Sequence, residues 1–265
     1  MDLYQSIVIS IVEGLTEFLP VSSTAHMKIA NPLIHVTPDA FSDMFEVVIQ
    51  LAAILSVVTI YWKKFFDFKH YSFYIKLIVA VIPALVFGVL LKKHIDAALG
   101  NLKFIAMVMI AGGIVLLFID KLFTKSTVEE EKNISYLKAF IIGCFQVLSI
   151  VFPGLSRSAA TIIGGMSQKL TRGLAAEFSF FLAVPTMLAA SAKSMLDAYK
   201  ENPHVLAKEN MTTLGIGAVI AYVIALLSVK FFIGYLQKHG FKIFGWYRIA
   251  AGIIVLILVY RGIIQ

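Results

Sequence analysis

The stretch IVEGLTEFLPVSSTAHM, Ile11 to Met27, decides how the whole chain is read. Its surroundings are apolar, yet it places Glu13 and Glu17, then Pro20, then Ser22, Ser23 and Thr24, and then His26. A proline followed by hydroxyls stops one helix and caps the next. A second stretch repeats the plan: Ala139 to Met166 has an apolar run, then FPGLSRSAAT, then a short apolar run. Each reads as a re-entrant helical hairpin, because irregular backbone at membrane depth persists only where protein or a water-filled cavity satisfies its polar groups.

The rest of the chain places those hairpins in a bilayer. Of 265 residues, 59% are hydrophobic and 15% charged, and mean hydropathy is +0.87, whereas soluble domains carry about 25% charged residues. Crossing the hydrocarbon takes about 20 mostly apolar residues. Six stretches approach that length: Val47 to Trp62, Leu77 to Leu91, Phe104 to Ile119, Phe178 to Ala192, Asn210 to Val229 and Ile249 to Tyr260. Arg248 and Arg261 flank the last and are expected to snorkel to the headgroups. Leu3 to Val12 follows no basic segment or cleavage site, so insertion is expected through the spans themselves. Cys144 is the only cysteine, which excludes an intrachain disulfide and a thiolate metal cluster. The net charge of +7 is scattered through short loops, which fits anionic lipid headgroups and not nucleic acid.

One offset separates Pro20 from Pro153 and Glu13 from Gln146, and nearly the same offset separates Glu46 from Glu177. The expected fold is therefore an all-α polytopic membrane protein built as an inverted-topology repeat. Repeat one is 1–120, a polar linker at 121–136 contains KSTVEEEKN, and repeat two is 137–265. Each repeat holds one re-entrant hairpin and three transmembrane helices, and the odd number of crossings turns the second copy over. Lys63, Lys64, Lys69, Lys121, Lys125, Lys132, Lys138, Lys169, Arg172, Lys238 and Lys242 fall on one side, against Lys92, Lys93, Lys103, Lys193, Lys200 and Lys208 on the other. The positive-inside rule then puts both termini outside the cytoplasm.

Glu13 and Glu17 share a helical face with nothing basic within a turn, so they need a cation, a proton or a distant arginine. A divalent cation suits them; the alternative is a helix lying at the interface with both acids in water. Ser22, Ser23, Thr24, Ser156 and Ser158 are caps, and two half-helix N-termini facing each other can hold a diphosphate. Arg157 lies between two of those serines, where its guanidinium can fork onto phosphate or pair with Glu13 or Glu17. His26, three residues after Ser23, can serve as base to a hydroxyl or water, as acid to a leaving phosphate, or as a hydrogen-bonded core group. Glu46 and Glu177 suit the helix dipoles of the spans they begin, and Lys28, Arg172 and His35 read as interface residues.

VEGLTEFLPVSSTAHM and FPGLSRSAATI, with FEVVIQLAAIL and AAEFSFFLAVP, resemble the bacterial undecaprenyl-diphosphate phosphatases, the bacitracin-resistance family, over nearly the whole chain. The resemblance implies removal of the terminal phosphate of a polyprenyl diphosphate lipid in the bacterial inner (plasma) membrane with a divalent cation, Mg2+ or Ca2+. It assigns Glu13 and Glu17 as the acidic pair, Ser22, Ser23, Thr24 and His26 as the hydroxyl run with its histidine, and Ser156, Arg157, Ser158 and Thr161 as the arginine motif. On this reading Ser23 attacks with His26 as its base, or His26 or Glu17 activates a water. Arg157 clamps the phosphate, the site opens to the outer face, and a homodimer is compatible. Ala25 and Ala159 stand where the family usually has glycine, which predicts a less open motif backbone if those positions take positive φ. The rival from another class is a lipid transporter or flippase, since inverted repeats with broken helices also build transporters.

Overall fold

A computed structural model describes residues 1–67 and 71–264, the Gln237 side chain excepted. Lys69 of the loop-charge comparison and Gln265 at the end of repeat two lie outside the described residues. The described residues form α1 (Leu3–Thr16), α2 (Ser23–Leu33), α3 (Ala40–Ile60), α4 (Trp62–Phe65), α5 (Tyr71–Leu90), α6 (Lys92–Leu99), α7 (Leu102–Leu122), α8 (Tyr136–Val151), α9 (Arg157–Ser167), α10 (Arg172–Glu201), α11 (Lys208–His239) and α12 (Lys242–Tyr260). The helices α3, α5, α7, α10, α11 and α12 are long and apolar enough to cross a membrane, and they coincide with the six stretches read from hydropathy.

Three of the six spans, α3, α7 and α10, begin on polar caps that set their first turn. Asp39 Oδ1 accepts from Ser42 N at 2.7 Å while Asp39 N donates to Ser42 Oγ at 2.9 Å, a reciprocal box that opens α3. Asn101 Oδ1 accepts from Phe104 N at 3.0 Å to open α7, and Thr171 caps α10 through Leu174 N at 3.3 Å. Large apolar side chains such as Ile78, Val89, Phe118, Leu227 and Ile254 stay exposed on the outside of the bundle, where lipid replaces water. Trp62, Tyr71, Trp246 and Tyr260, near the ends of the spans, are exposed as an interfacial aromatic belt would be.

The two short hairpins are α1–α2 and α8–α9. The first returns to where it began: Gln5 Nε2, near the start of α1, donates to the carbonyls of Ile34 and His35 past the end of α2, at 3.1 and 3.0 Å. The second does the same through the linker, whose Thr127 and Val128 N–H groups donate to Lys169 O at 2.9 and 3.0 Å beyond α9. The linker between Leu122 and Tyr136 is thus pinned, and buried Lys76 on α5 also donates to Glu131 O at 3.0 Å.

Packing around the hairpins follows two parallel sets. α1 lies on α11 and α8 lies on α5; α3 packs on α10 and on α11; α10 also contacts α5; α7 and α12 pair extensively. Glycine sets the close approach of both hairpins. A Cβ on Gly14 would meet Ala221 O of α11 at 2.7 Å, and one on Gly143 would run into the backbone of Ala80 in α5. Between the hairpins lies an aromatic core in which Phe18 and Phe180 meet edge to face at 5.1 Å.

Candidate active site

Both hairpins break in the same way. Ser22 precedes α2 with φ 75° and its Oγ accepts from Ala25 N at 3.4 Å; Ser156 precedes α9 with φ 77° and its Oγ accepts from Ala159 N at 3.3 Å. Positive φ on a serine costs about 1–3 kcal/mol, a strain that clusters at working sites. The result is two helix N-termini whose first N–H groups have no intrahelical acceptor. Ala25 and Ala159 sit inside the first turns of those helices, so neither takes the positive φ that would have required glycine.

The breaks meet. Arg157 Nη2 lies 2.7 Å from Glu17 Oε1, Arg157 Nη1 donates to Ser179 O at 3.2 Å, and Ser158 Oγ donates to Leu19 O at 3.1 Å. Thr161 shares a 2.6 Å bond with Ser179 Oγ and donates to Arg157 O at 2.9 Å, which ties the first turn of α9 to α10. Ser23 Oγ donates to Glu17 Oε2 at 2.5 Å. Arginine, carboxylate and hydroxyl therefore form one continuous chain from the second hairpin into the first. Ser22 and Ser156 act as caps, and Ser156 and Ser158 hydroxyls lie 3.0 Å apart. Thr24, in the first turn of α2, stays partly exposed beside Ser23.

His26 is not the base that Ser23 touches. Its Nδ1 is held by Ser22 O at 2.7 Å and its Nε2 by the Tyr247 hydroxyl at 2.7 Å, with the rings stacked 5.6 Å apart. A carbonyl only accepts, so Nδ1 carries the proton. Helical spacing alone puts Ser23 and His26 on one face, but the serine rotamer turns inward to Glu17 while the imidazole turns to α12.

Glu13 is fully buried, and among the described residues neither carboxylate oxygen has a hydrogen-bond partner. Such a group calls for a cation or a proton. The matching residue of the second hairpin, Gln146, is neutral and donates to Thr186 Oγ1 at 3.3 Å. Among the described residues no three His, Cys, Asp or Glu side chains converge as a metal cage. Two carboxylates with hard oxygen donors nonetheless fit a magnesium-type ion, which commonly takes one or two protein carboxylates and completes its shell with substrate phosphate. Glu13 has both oxygens free, and Glu17 keeps lone pairs beyond those used by Arg157 and Ser23.

Glu46 and Glu177, expected at the dipole ends of their spans, instead lie beyond the first turns of α3 and α10, where each is paired. Glu46 accepts from Asn31 Nδ2 at 2.5 Å and pairs with Lys28 at 3.2 Å, and Glu177 pairs with Lys64. Lys28 and Arg172, read as interface residues, are engaged in ion pairs, Arg172 with Asp120 at 2.8 Å; His35 is exposed at φ 58°.

Arg248 corrects the sequence reading most sharply. Instead of snorkelling it is fully buried and donates to Pro20 O at 3.1 Å, Leu155 O at 2.6 Å, Gly154 O at 2.8 Å and Met109 O at 3.3 Å. It follows six mostly apolar residues at the start of α12, so a hydropathy window treats it as a flank. The overlooked signal was glycine: a Cβ on Gly112 would strike the Arg248 guanidinium, and one on Gly113 would meet Gly245 O at 2.8 Å. Small residues that draw two membrane helices together leave room for one large buried side chain.

The model of the bacitracin resistance protein BacA family matches residues 6–254. An undecaprenyl-diphosphatase of Flavobacterium psychrophilum is 51% identical over 97% of this chain and 96% of its own length. One of Porphyromonas gingivalis is 47% identical over 99% of both chains, and one of Enterococcus faecalis 41% over 97% of both.

Proposed function

The chain belongs to the bacitracin resistance protein BacA family, and from that premise we infer that it is a membrane undecaprenyl-diphosphate phosphatase. It converts undecaprenyl diphosphate and water into undecaprenyl phosphate and inorganic phosphate, recycling the lipid carrier of cell-wall synthesis. The observation that carries the mechanism is the chain from Arg157 through Glu17 to Ser23, at 2.7 and 2.5 Å, between the facing ends of α2 and α9.

Phosphoryl transfer asks mainly for positioning and charge stabilisation. Two of the five Arg157 N–H groups are in use, and the others, with the hydroxyl of Thr24 and the free N–H groups of both half-helices, that of Ser158 among them, bind the diphosphate. Ser23 Oγ attacks the terminal phosphorus as Glu17 Oε2 takes its proton. The bond to the bridging oxygen breaks, and undecaprenyl phosphate leaves. Water then displaces the phosphoryl group from Ser23, whose oxygen takes the proton back from Glu17. With its proton on Nδ1, His26 presents Nε2 as an acceptor, and through the Tyr247 hydroxyl it can take a proton from the attacking water, not give one to the leaving phosphate. A divalent cation, Mg2+ or Ca2+, held by Glu13 and Glu17 would neutralise charge on the diphosphate oxygens.

We read the architecture as an inverted repeat with the boundaries given above. Exchanging the halves turns α1 on α11 into α8 on α5 and α3 on α11 into α10 on α5, while α3 on α10 and α7 on α12 map onto themselves; all of these pairs occur. With the loop charges, this supports a bacterial cell-membrane protein whose first hairpin enters from the outer face, and the polar path to the site follows that hairpin.

Phosphate release by the purified protein from undecaprenyl diphosphate, with and without chelator, tests the reaction and its cation together. A phosphoserine at Ser23 in a rapidly quenched reaction, read by mass spectrometry, supports the nucleophile. Normal turnover in Ser23→Ala would transfer the attack to water. Orientation is read by placing cysteine at exposed Thr37 or exposed Asn133 in a Cys144→Ser background and labelling intact cells with an impermeant thiol reagent. Thr37→Cys is expected to label and Asn133→Cys not; the reverse pattern overturns the outer-face site.

A further inference from the structure

α12 reaches into the site from the far side of the hairpins, and the reaction above uses no part of Arg248. Among the described residues this side chain has no carboxylate partner, and its hydrogen bonds go to main-chain carbonyls. Pro20 O belongs to the first break, Gly154 O and Leu155 O to the second, and Met109 O to α7, with Val108 O at 3.5 Å beyond it. The same Nη1 bridges the two breaks, to Pro20 and to Leu155. A guanidinium with five N–H donors in a fixed plane suits that many acceptors, whereas an ammonium does not.

We propose that Arg248 is a positioning residue for phosphoryl transfer, fixing the distance and angle between the α2 and α9 N-termini so that Ser23 and Arg157 engage one diphosphate together. Two physical effects follow from its place. It ties the backbone of each break one or two residues before the positive-φ serine, in the second break at the glycine with φ 97° itself, so the direction in which each new half-helix starts is set against a common point. It also satisfies carbonyls whose partial negative charge would offset the positive N-terminal ends facing the substrate. Without it the two hairpins still pack on α11 and α5, but among the described residues the breaks are joined only by the single Ser158–Leu19 hydrogen bond and by the bonds that the substrate must rearrange, those of Arg157 and Glu17.

The inference rests on the Ser23–Arg157 site, which Ser23→Ala and Arg157→Lys test separately: full turnover in both variants removes the site reading, whatever Arg248 does. For Arg248 itself, three variants of the purified full-length protein are compared by melting temperature, kcat and KM. Arg248→Lys keeps a positive charge but loses the planar fork. Gly112→Ala leaves Arg248 in place and presses its new methyl on the guanidinium. Gly252→Ala, whose Cβ would meet Ala106 O at 2.8 Å, loosens the same α7–α12 contact away from the breaks and serves as the control. Misplacement by about 1 Å costs up to roughly 100-fold in rate. Arg248→Lys is therefore expected to lower kcat about 10- to 100-fold and Gly112→Ala several-fold, with KM changed little in either. Gly252→Ala is expected to lower the melting temperature with kcat retained. If Arg248→Lys does not fold, Gly112→Ala against Gly252→Ala carries the test. Wild-type kcat in Gly112→Ala, or equal loss of kcat in Gly252→Ala at the same melting temperature, shows Arg248 to be a packing residue only and overturns the proposal.

Discussion

The two breaks share a backbone and divide the chemistry. Each has a serine cap with φ near 75°, each cap accepts from an alanine N–H three residues on, and each is held by Arg248. At the first helical position after the cap, however, one break carries Ser23 and the other Arg157. Five and nine residues before its cap the first has Glu17 and Glu13, whereas the second has the neutral Gln146 opposite Glu13 and no acid opposite Glu17. Equivalent geometry thus presents a hydroxyl and its carboxylate from one side and a guanidinium from the other. Two helix ends of like geometry serve one phosphatase reaction because their side chains differ.

The largest effects should come from the first helical positions, and they should differ in kind. Ser23→Ala is expected to lower kcat by at least about 1000-fold, since it removes the attacking atom, and to leave substrate binding largely intact. Arg157→Lys is expected to cost about 100-fold and to raise KM as well, because a point charge cannot fork onto phosphate or keep both Glu17 and Ser179 as partners. Steady-state kinetics on folded protein reads both. If the two variants lose activity in the same way, the division of labour between the breaks is wrong.

A smaller effect separates the acids. Glu13→Gln makes the first hairpin resemble the second, and it is expected to weaken the apparent affinity for the divalent cation about tenfold while a saturating cation restores most of kcat. Glu17→Gln is expected to stay impaired at any cation concentration, because it also loses the acceptor of the Ser23 proton and the partner of Arg157. Titration of activity with Mg2+ or Ca2+ distinguishes them. Activity of Glu13→Gln that is indifferent to cation concentration would leave its buried carboxylate to a proton instead.

Much of this was legible in the sequence because membrane physics constrains it tightly. Six spans followed from apolar length, and the two hairpins followed from proline and serine placed where a continuous helix was otherwise expected. An ion pair of Arg157 with Glu13 or Glu17 was one of two readings the sequence left open, and the structure pairs it with Glu17. What stayed hidden were contacts made by rotamers and by distant helices. Spacing could not tell that Ser23 turns to Glu17 and His26 to Tyr247, since neighbours on a helical face choose partners through χ1 and through whatever packs above them. Arg248 was hidden because a charge at the edge of an apolar run is ordinarily a snorkelling flank, and only the Gly112 and Gly113 pair marked the space it fills.

The caps give a still smaller contrast. Ser22→Ala and Ser156→Ala each remove one cap bond and should each cost about 1 kcal/mol of stability. Thermal unfolding of the two variants in one detergent should therefore agree. Their activities should not, because Ser22 precedes the nucleophile directly and its carbonyl holds His26 Nδ1, whereas Ser156 precedes the clamp. A large difference in stability would mean that one break is held by something its twin lacks.

The smallest expected effect concerns Ala25 and Ala159, where glycine is usual in the family the sequence resembles. If an open backbone were needed at these positions, restoring glycine would speed the enzyme. The structure argues against that: both alanines lie in the first turn of a helix, nearly or fully buried, and the positive φ values fall on Ser22, Ser156 and Gly154 instead. Glycine there would only add freedom to the unfolded chain and remove a packed methyl, at a cost of up to about 1 kcal/mol each. Ala25→Gly and Ala159→Gly are thus expected to melt slightly earlier than the parent, by similar amounts, with kcat within about twofold. A severalfold gain in kcat for one variant and not the other would show that its break must open during turnover, and that the two backbones, matched at rest, part company in the reaction.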